Sequence, residues 1–266
     1  MKKRYYILIA ILSYLFFTLG NVPAAKVISL IEKNARLPVK LYGIHGSIWN
    51  GGADKIMMKG QPPVDNITWS LNPAMLLLAQ LGGEVKASIK NQNIVANINL
   101  SAGGGISASD IRARVDAAII QELIQLPLGE LEGVFNINIE SLELKEEGLP
   151  LVTAKLKWKN AKLTLLDTVD LGFIDLAIEP GENDTLVANI SSSKGQLILD
   201  GKTSIDNRNT FNANLRISPN PDTTENIKQS LQMLARQKIS GRHIMKRQSD
   251  GSYLIKHKGN LRDLGF

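Results

Sequence analysis

The sequence predicts a mostly-β protein in which one N-terminal transmembrane helix is followed by a curved, largely antiparallel β-sheet domain with two or three short helices. Three observations support this prediction: an apolar run near the N-terminus, alternation of polar and apolar residues along much of the remaining chain, and a few stretches with helical periodicity. The length of 266 residues is ample for a buried core and allows one large domain or two small ones.

The N-terminal apolar run extends over 18 uncharged residues, from Tyr5 to Val22. At about 1.5 Å per residue it is about 27 Å long, close to the thickness of a bilayer core. Three basic residues at positions 2–4 precede it, which favours an N-terminus in the cytoplasm and the rest of the chain outside. The predicted anchor residues are Tyr5, Ile7, Leu8, Ile9, Ile11, Leu12, Leu15, Phe16, Phe17 and Leu19. A cleaved signal peptide is the alternative, because residues 22–24 loosely fit a small-residue cleavage site.

After the apolar run, the chain alternates between polar and apolar residues with a period of two. The alternation is clear over residues 134–140, 186–192 and 211–218. Strands of this kind bury one face and leave the other in water, which favours an antiparallel sheet over a doubly wound parallel one. Gly- and Asn-containing turns separate them.

Helical periodicity predicts helices over residues 24–36, 116–125 and 221–236. The first two open on an Ala-Ala pair and end at Leu-Pro, and Trp69 and Trp158 stand 89 residues apart. These similarities indicate an internal duplication of about 90 residues. Chance similarity between two amphipathic sheets remains the alternative.

The resulting domain organisation has four parts. Residues 1–22 are the cytoplasmic N-terminus and anchor, residues 23–115 and 116–220 are two helix-plus-sheet halves, and residues 221–266 are a C-terminal helix and basic strands.

The net charge of +6 is concentrated at the two ends of the chain. Residues 236–266 contain eight basic and two acidic residues, and residues 2–4 add three basic ones, so the intervening body is acidic. An acidic body with basic ends is not typical of a nucleic-acid-binding domain. The basic C-terminal segment is expected either to contact anionic lipid headgroups or an acidic partner, or to be the solvated face of a terminal hairpin.

The sequence contains no catalytic constellation, so we predict that the protein is not an enzyme and has no metal or cofactor. The absence of Cys excludes thiolate chemistry and Cys-based metal sites, and the three His residues are too scattered for a ligand cluster. The stretch 195–203 resembles a P-loop superficially but has five residues between its glycines instead of four.

Three blocks of residues resemble one known family. Residues 46–53, Gly-Ser-Ile-Trp-Asn-Gly-Gly-Ala, are similar to a Gly-x-hydrophobic-Trp-[Ser/Asn]-Gly signature of the type II secretion system protein N family. Residues 69–73, Trp-Ser-Leu-Asn-Pro, with the following leucines resemble its second block, and residues 250–261 resemble its C-terminal strand. The family-motif residues, to which we assign a structural role, are Gly46, Trp49, Gly51, Trp69, Pro73, Gly251, Tyr253 and Gly259.

The resemblance implies an accessory, structural component of a Gram-negative secretion machine that exports folded proteins from the periplasm. It implies an inner-membrane protein with a single pass, a periplasmic bulk, no enzyme activity, and contacts to other inner-membrane secretion subunits. A different class of function stays open, namely a periplasmic lipid- or lipoprotein-binding protein with an AsmA-like apolar groove. The two would differ in whether the apolar sheet face is closed by a second sheet or open.

Overall fold

The structure, a computed structural model, describes residues 5–6, 20–34, 39–124, 129–145, 148–165, 167–239, 242–243 and 245–260. Of the predicted anchor residues, Tyr5 lies within these ranges and is exposed. The others, from Ile7 to Leu19, lie outside the described residues. Among the residues that are described, no helix is long and apolar enough to cross a membrane.

The chain divides into two compact units, Met1–Gly103 and Gly104–Phe266. The predicted boundaries at residues 22, 115 and 220 remain predictions.

The described residues of the first unit form an α-helix, a 3₁₀ helix and six strands. The helix α1 (Ala24–Asn34) is followed by β1 (Val39–Tyr42), β2 (His45–Gly46), β3 (Asn50–Met58), β4 (Val64–Leu71), the 3₁₀ helix (Pro73–Leu78), β5 (Gln80–Ile89) and β6 (Gln92–Ser101). The sheet order is β1-β3-β4-β5-β6, with β2 paired to β3, and the recorded pairings are antiparallel.

The described residues of the second unit form a longer antiparallel meander with two α-helices. Its elements are β7 (Ile106–Asp116), α2 (Ala117–Leu123), β8 (Glu130–Leu144), β9 (Leu151–Thr164), β10 (Thr168–Pro180), β11 (Leu186–Ser193), β12 (Leu197–Ile205), β13 (Thr210–Pro219), α3 (Glu225–Arg236), β14 (Lys238–Ile239), β15 (Arg242–His243), β16 (Met245–Arg247) and β17 (Tyr253–Asn260). The sheet order runs β7 to β13 in sequence and then β17-β16, while β14 and β15 pair with each other.

The core of the second unit lies where α3 packs on one face of this sheet. Ile227 and Leu231 of α3 are buried in a cluster with Ile174, Leu197 and Tyr253 from three strands. The helix is strongly amphipathic, with its exposed face carrying residues such as Met233 and Arg236. One helix therefore covers one end of the sheet's apolar face.

The structure confirms the mostly-β, antiparallel prediction. The three alternating segments lie inside β8, β11 and β13. The predicted helix at residues 221–236 begins instead at Glu225, because Pro221 and Asp222 form a turn in which the Asp222 N–H donates to Asn220 Oδ1 at 2.7 Å.

Candidate functional site

The first family block forms a tight turn that holds Trp49 inside the first unit. Gly46 adopts a φ of 74°, a left-handed conformation that suits glycine. Ser47 Oγ then accepts hydrogen bonds from the N–H groups of Trp49 (3.3 Å) and Asn50 (3.1 Å). The turn leaves Trp49 6% exposed. This burial agrees with the predicted structural role, which stays a prediction.

Trp69 lies against the same turn, from the neighbouring strand β4. Its indole N–H donates to the backbone carbonyls of Ser47 (3.2 Å) and Ile48 (3.1 Å). Gly51 is its cross-strand partner, and a Cβ at position 51 would lie 2.8 Å from Trp69 Cζ2. The glycine is therefore required by the close approach of the indole and of two carbonyl groups.

Pro73 begins the 3₁₀ helix that follows β4. Asn72 caps it, with its Oδ1 accepting from the Ala74 N–H at 3.0 Å, as the Asn-Pro pair predicts. The helix ends at Leu78, because Ala79 takes a left-handed φ of 55° and Gln80 enters β5. The structure thus brings Gly46, Trp49, Gly51, Trp69 and Pro73 together in one corner of the first unit.

The remaining motif residues lie in the β16–β17 hairpin of the second unit. Gly251 occupies its turn with a φ of 82°, and Tyr253 is 2% exposed in the α3 core. Gly259 faces the ring of Phe211, whose Cε1 would lie 2.9 Å from a Cβ at that position. Gly251 thus meets the backbone requirement of the turn, whereas Tyr253 and Gly259 lie at packing contacts; the structural role of the three stays a prediction.

Asp250 stabilises the same hairpin turn. Its Oδ1 accepts from the hydroxyl of Ser252 at 2.6 Å and from the Ser252 N–H at 2.9 Å. The hydroxyl hydrogen bond, followed by the backbone one, lowers the pKa of the Asp250 carboxyl below its ordinary value.

The polar face of the second unit carries cross-strand rows of charged and amide side chains. One row, defined here as the lysine row, follows the register through six strands: Lys155, Ala177, Asn189, Lys202, Asn214 and Lys256. An adjacent row contains Lys157, Asp175, Ser191, Asp200 and Arg216. Together they line an open depression of about 820 Å³.

Ion pairs order part of this face. Lys155 Nζ lies 2.9 Å from Glu140 Oε1, and Lys157 Nζ lies 3.4 Å from Asp175 Oδ1. The hydrogen bond to Glu140, followed by the charge of that carboxylate, raises the pKa of Lys155. Both pairs are solvent-exposed, so they contribute little to stability but fix the pattern of charge on the face.

The opposite face of the second unit is apolar and partly open. The register aligns Ile137, Leu156, Leu176, Ile190, Leu215 and Ile255 across it, and each is half-buried. Beside the large sheet, the residues that the structure describes form one two-stranded sheet, β14–β15.

Part of the basic C-terminal segment lies in strand β17. Lys256 and Lys258 are exposed on the polar side of β17, while the intervening His257 lies beside Phe211 with ring centroids 5.3 Å apart. Exposure of the two lysines agrees with both expectations for the segment, which stay predictions.

Among the described residues, no group of three or more His, Asp or Glu side chains is placed to hold a metal ion. His45 lies in the short strand β2, with its ring close to Gly52. The described surfaces of the second unit offer charge on one face and apolar area on the other.

Two surface features escaped the sequence analysis. The lysine row depends on strand register, which single-strand alternation does not determine. The second feature is the exposure of the 3₁₀ helix, where Leu76, Leu77 and Leu78 are 49%, 89% and 72% exposed. The run of three leucines was visible in the sequence, but its lack of cover was not.

Of the comparisons with known proteins, the family comparison gives a match. No curated protein and no solved structure matches the chain significantly. The family model described as type II secretion system (T2SS), protein N matches residues 38–244, which contain the first two motif blocks and most of both units. That family is an accessory component of secretion and is not known as an enzyme. Because the match covers well over half of the sequence, the chain belongs to the type II secretion system protein N family.

Proposed function

We propose that this protein is an inner-membrane-anchored accessory component of the type II secretion system, which supports export of folded proteins from the periplasm through protein–protein contacts. The family match over residues 38–244 is the observation that carries the proposal. The uncharged run at residues 5–22 and the basic residues before it support a single pass with a cytoplasmic N-terminus and a periplasmic bulk.

Topology is tested with a reporter that is active only in the periplasm, fused after Phe266. The reporter should be active, and the protein should stay in the membrane after alkaline carbonate extraction. A mature N-terminus at Ala25, or release by carbonate, would refute the anchor and favour a cleaved signal peptide.

We infer that the partner contact uses the polar face of the second unit. Its lysine row presents Lys202 and Lys256 at the surface of an open depression, a geometry suited to an acidic protein surface. No chemical step is required of these residues, in keeping with a structural role.

The contact is tested by complementing a deletion strain with a Lys202→Glu/Lys256→Glu variant. Secretion and co-purification of inner-membrane secretion subunits should both fall, with protein abundance unchanged. Lys40→Glu, which changes an exposed lysine of the first unit, is the matched control and should secrete normally. Normal secretion by the double variant would refute the polar-face contact, whereas normal secretion by the deletion strain itself would refute the secretion role.

The partly open apolar face supports a second candidate, a lipid- or lipoprotein-binding role with an AsmA-like groove. Six half-buried aliphatic side chains align across the sheet; Ile190 and Ile255 pack against the α3 core, and the other four lie outside that cluster. A photoactivatable crosslinking residue at Leu176 should then capture phospholipid in cells, and one at Lys202 on the other face should not. Equal capture at both positions would refute the groove.

A further inference from the structure

We propose that the 3₁₀ helix Pro73–Leu78 is a second membrane contact, which inserts its leucines into the surface of the bilayer that holds the anchor. The proposal rests on the anchored topology proposed above. It concerns Leu76, Leu77 and Leu78, which we call the leucine turn.

The leucine turn is an unusual concentration of exposed apolar surface. Its three consecutive leucines are 49%, 89% and 72% exposed. No Asp, Glu, Lys or Arg occurs between Asn66 and Gly83, so the turn has no charged side chain near it in sequence. Contiguous exposed apolar residues of this kind indicate a protein or membrane contact.

The geometry of the turn favours a bilayer over a protein pocket. A 3₁₀ helix has three residues per turn, so consecutive side chains point about 120° apart. Leu76, Leu77 and Leu78 therefore radiate in three directions. A protein groove covers one side of such a turn, whereas the interfacial region of a bilayer surrounds it on every side.

Backbone polar groups of the turn are also hydrogen-bonded within the segment itself. The Asn72 side chain accepts from the Ala74 N–H, the Met75 N–H donates to the Asn72 carbonyl at 3.1 Å, and the Ala79 N–H donates to the Leu76 carbonyl at 3.0 Å. Pro73 has no N–H. Hydrogen bonding within the segment lowers the cost of moving its backbone into the interface.

Its position relative to the anchor supplies the decisive argument. The Val22 carbonyl, at the end of the apolar run, accepts from the Ile48 N–H at 3.0 Å, and the Trp49 carbonyl accepts from the Leu71 N–H at 2.6 Å. Two such neighbouring-strand spacings of about 4.8 Å put Leu71 about 10 Å from Val22. The turn begins two residues later, so it lies where the chain would leave the membrane.

The chain contains no Cys, which allows a unique label. The full-length Leu77→Cys variant is labelled with an environment-sensitive fluorophore and reconstituted in phosphatidylethanolamine–phosphatidylglycerol liposomes, with and without a lipid that carries a headgroup-proximal spin-label quencher. The control is Met57→Cys. Met57 is an exposed apolar side chain of the same unit (49%), but it lies about 20 Å along β3 from Gly51, the cross-strand partner of Trp69.

We expect the quencher lipid to reduce emission from position 77 and to leave position 57 unchanged. Equal emission loss at the two positions, or none at position 77, would overturn the leucine-turn contact. Alkaline extraction of the same liposomes separates the two proposals. Release of the chain would overturn the anchor together with the contact, whereas retention without quenching would overturn the contact alone.

Discussion

The enclosure of Gly51 predicts that a single added methyl group will destabilise the first unit. A Cβ at this position would lie 2.5 Å from the Ser47 carbonyl oxygen, 2.7 Å from that of His45 and 2.8 Å from Trp69 Cζ2. Two of these three atoms belong to the backbone, and the strand pairing of Gly51 with Gly46 and Trp69 holds them in place. We therefore expect Gly51→Ala to cost about 3 kcal/mol, the upper end of the range for overpacking.

The assay is thermal unfolding of the full-length protein in detergent, followed by far-ultraviolet circular dichroism. At about 2–4 °C per kcal/mol for a chain of this size, Gly51→Ala should lower Tm by about 6–12 °C. Gly103→Ala is the matched control, because its Cβ would meet, among the described residues, Ser101 Oγ alone, at 4.0 Å. It should change stability by no more than about 0.5 kcal/mol. Equal Tm values for the two variants would refute the steric argument.

A double-mutant cycle tests whether the indole contributes to this enclosure. Trp69→Phe removes the ring that carries Cζ2, and with it one of the three close contacts of the added methyl group. The cost of Gly51→Ala should then be smaller in the Trp69→Phe background, with a coupling of at least about 0.5 kcal/mol. Strictly additive costs would assign the whole effect to the two carbonyl groups.

Three further predictions concern the two cores and the turns. Trp49→Ala should lower the free energy of unfolding by about 3–5 kcal/mol and reduce protein abundance. If the variant keeps wild-type stability but no longer pulls down a partner, Trp49 belongs to an interface instead of the core. Leu231→Ala should cost about 2–5 kcal/mol, and Met233→Ala on the exposed side of the same helix about 0.5 kcal/mol or less, both measured by thermal unfolding. The backbone N–H of Thr210 donates to the Asp206 carboxylate and lowers the pKa of that carboxyl below its ordinary value. The ionised carboxylate therefore stabilises the turn at neutral pH. This stabilisation is lost as the pH falls through the folded-state pKa. Asp206→Asn keeps an acceptor oxygen and should therefore flatten the acid limb of the stability curve, and an unchanged acid limb would contradict this assignment.

The strands were predictable because burial of one sheet face imposes a period of two on each strand separately. The buried face of β8 can be identified from its own sequence, without its partner strands, because apolar residues recur at Phe135, Ile137 and Ile139. Helix ends were less predictable, because local hydrogen bonds override periodicity there. The predicted third helix begins at Pro221. In the structure the Asn220 side chain accepts a hydrogen bond from the Asp222 N–H, which stabilises a turn, and the helix begins at Glu225.

The candidate surfaces were predictable only in part, because they depend on strand register and on whether other residues pack over the apolar side chains. Lys155, Lys202 and Lys256 are 101 residues apart from first to last, and only five successive strand pairings bring them into one row. The leucines at positions 76–78 have the composition of a buried segment. Their exposure follows from the absence of packing, which no local pattern encodes.

The two tryptophans that suggested an internal duplication make the same kind of contact in their respective units. Trp69 donates to carbonyls 21 and 22 residues earlier, and Trp158 donates to the Glu132 carbonyl 26 residues earlier at 2.9 Å. Each contact lies beside a left-handed glycine, Gly46 with a φ of 74° and Gly133 with a φ of 106°. The partner opposite the indole has diverged, since Gly51 faces Trp69 whereas Phe135 stacks on Trp158 with centroids 4.9 Å apart. A shared indole–carbonyl contact with different cross-strand partners is expected of a duplicated unit whose halves have diverged in sequence. The duplication stays a prediction, now with a defined structural element as its basis.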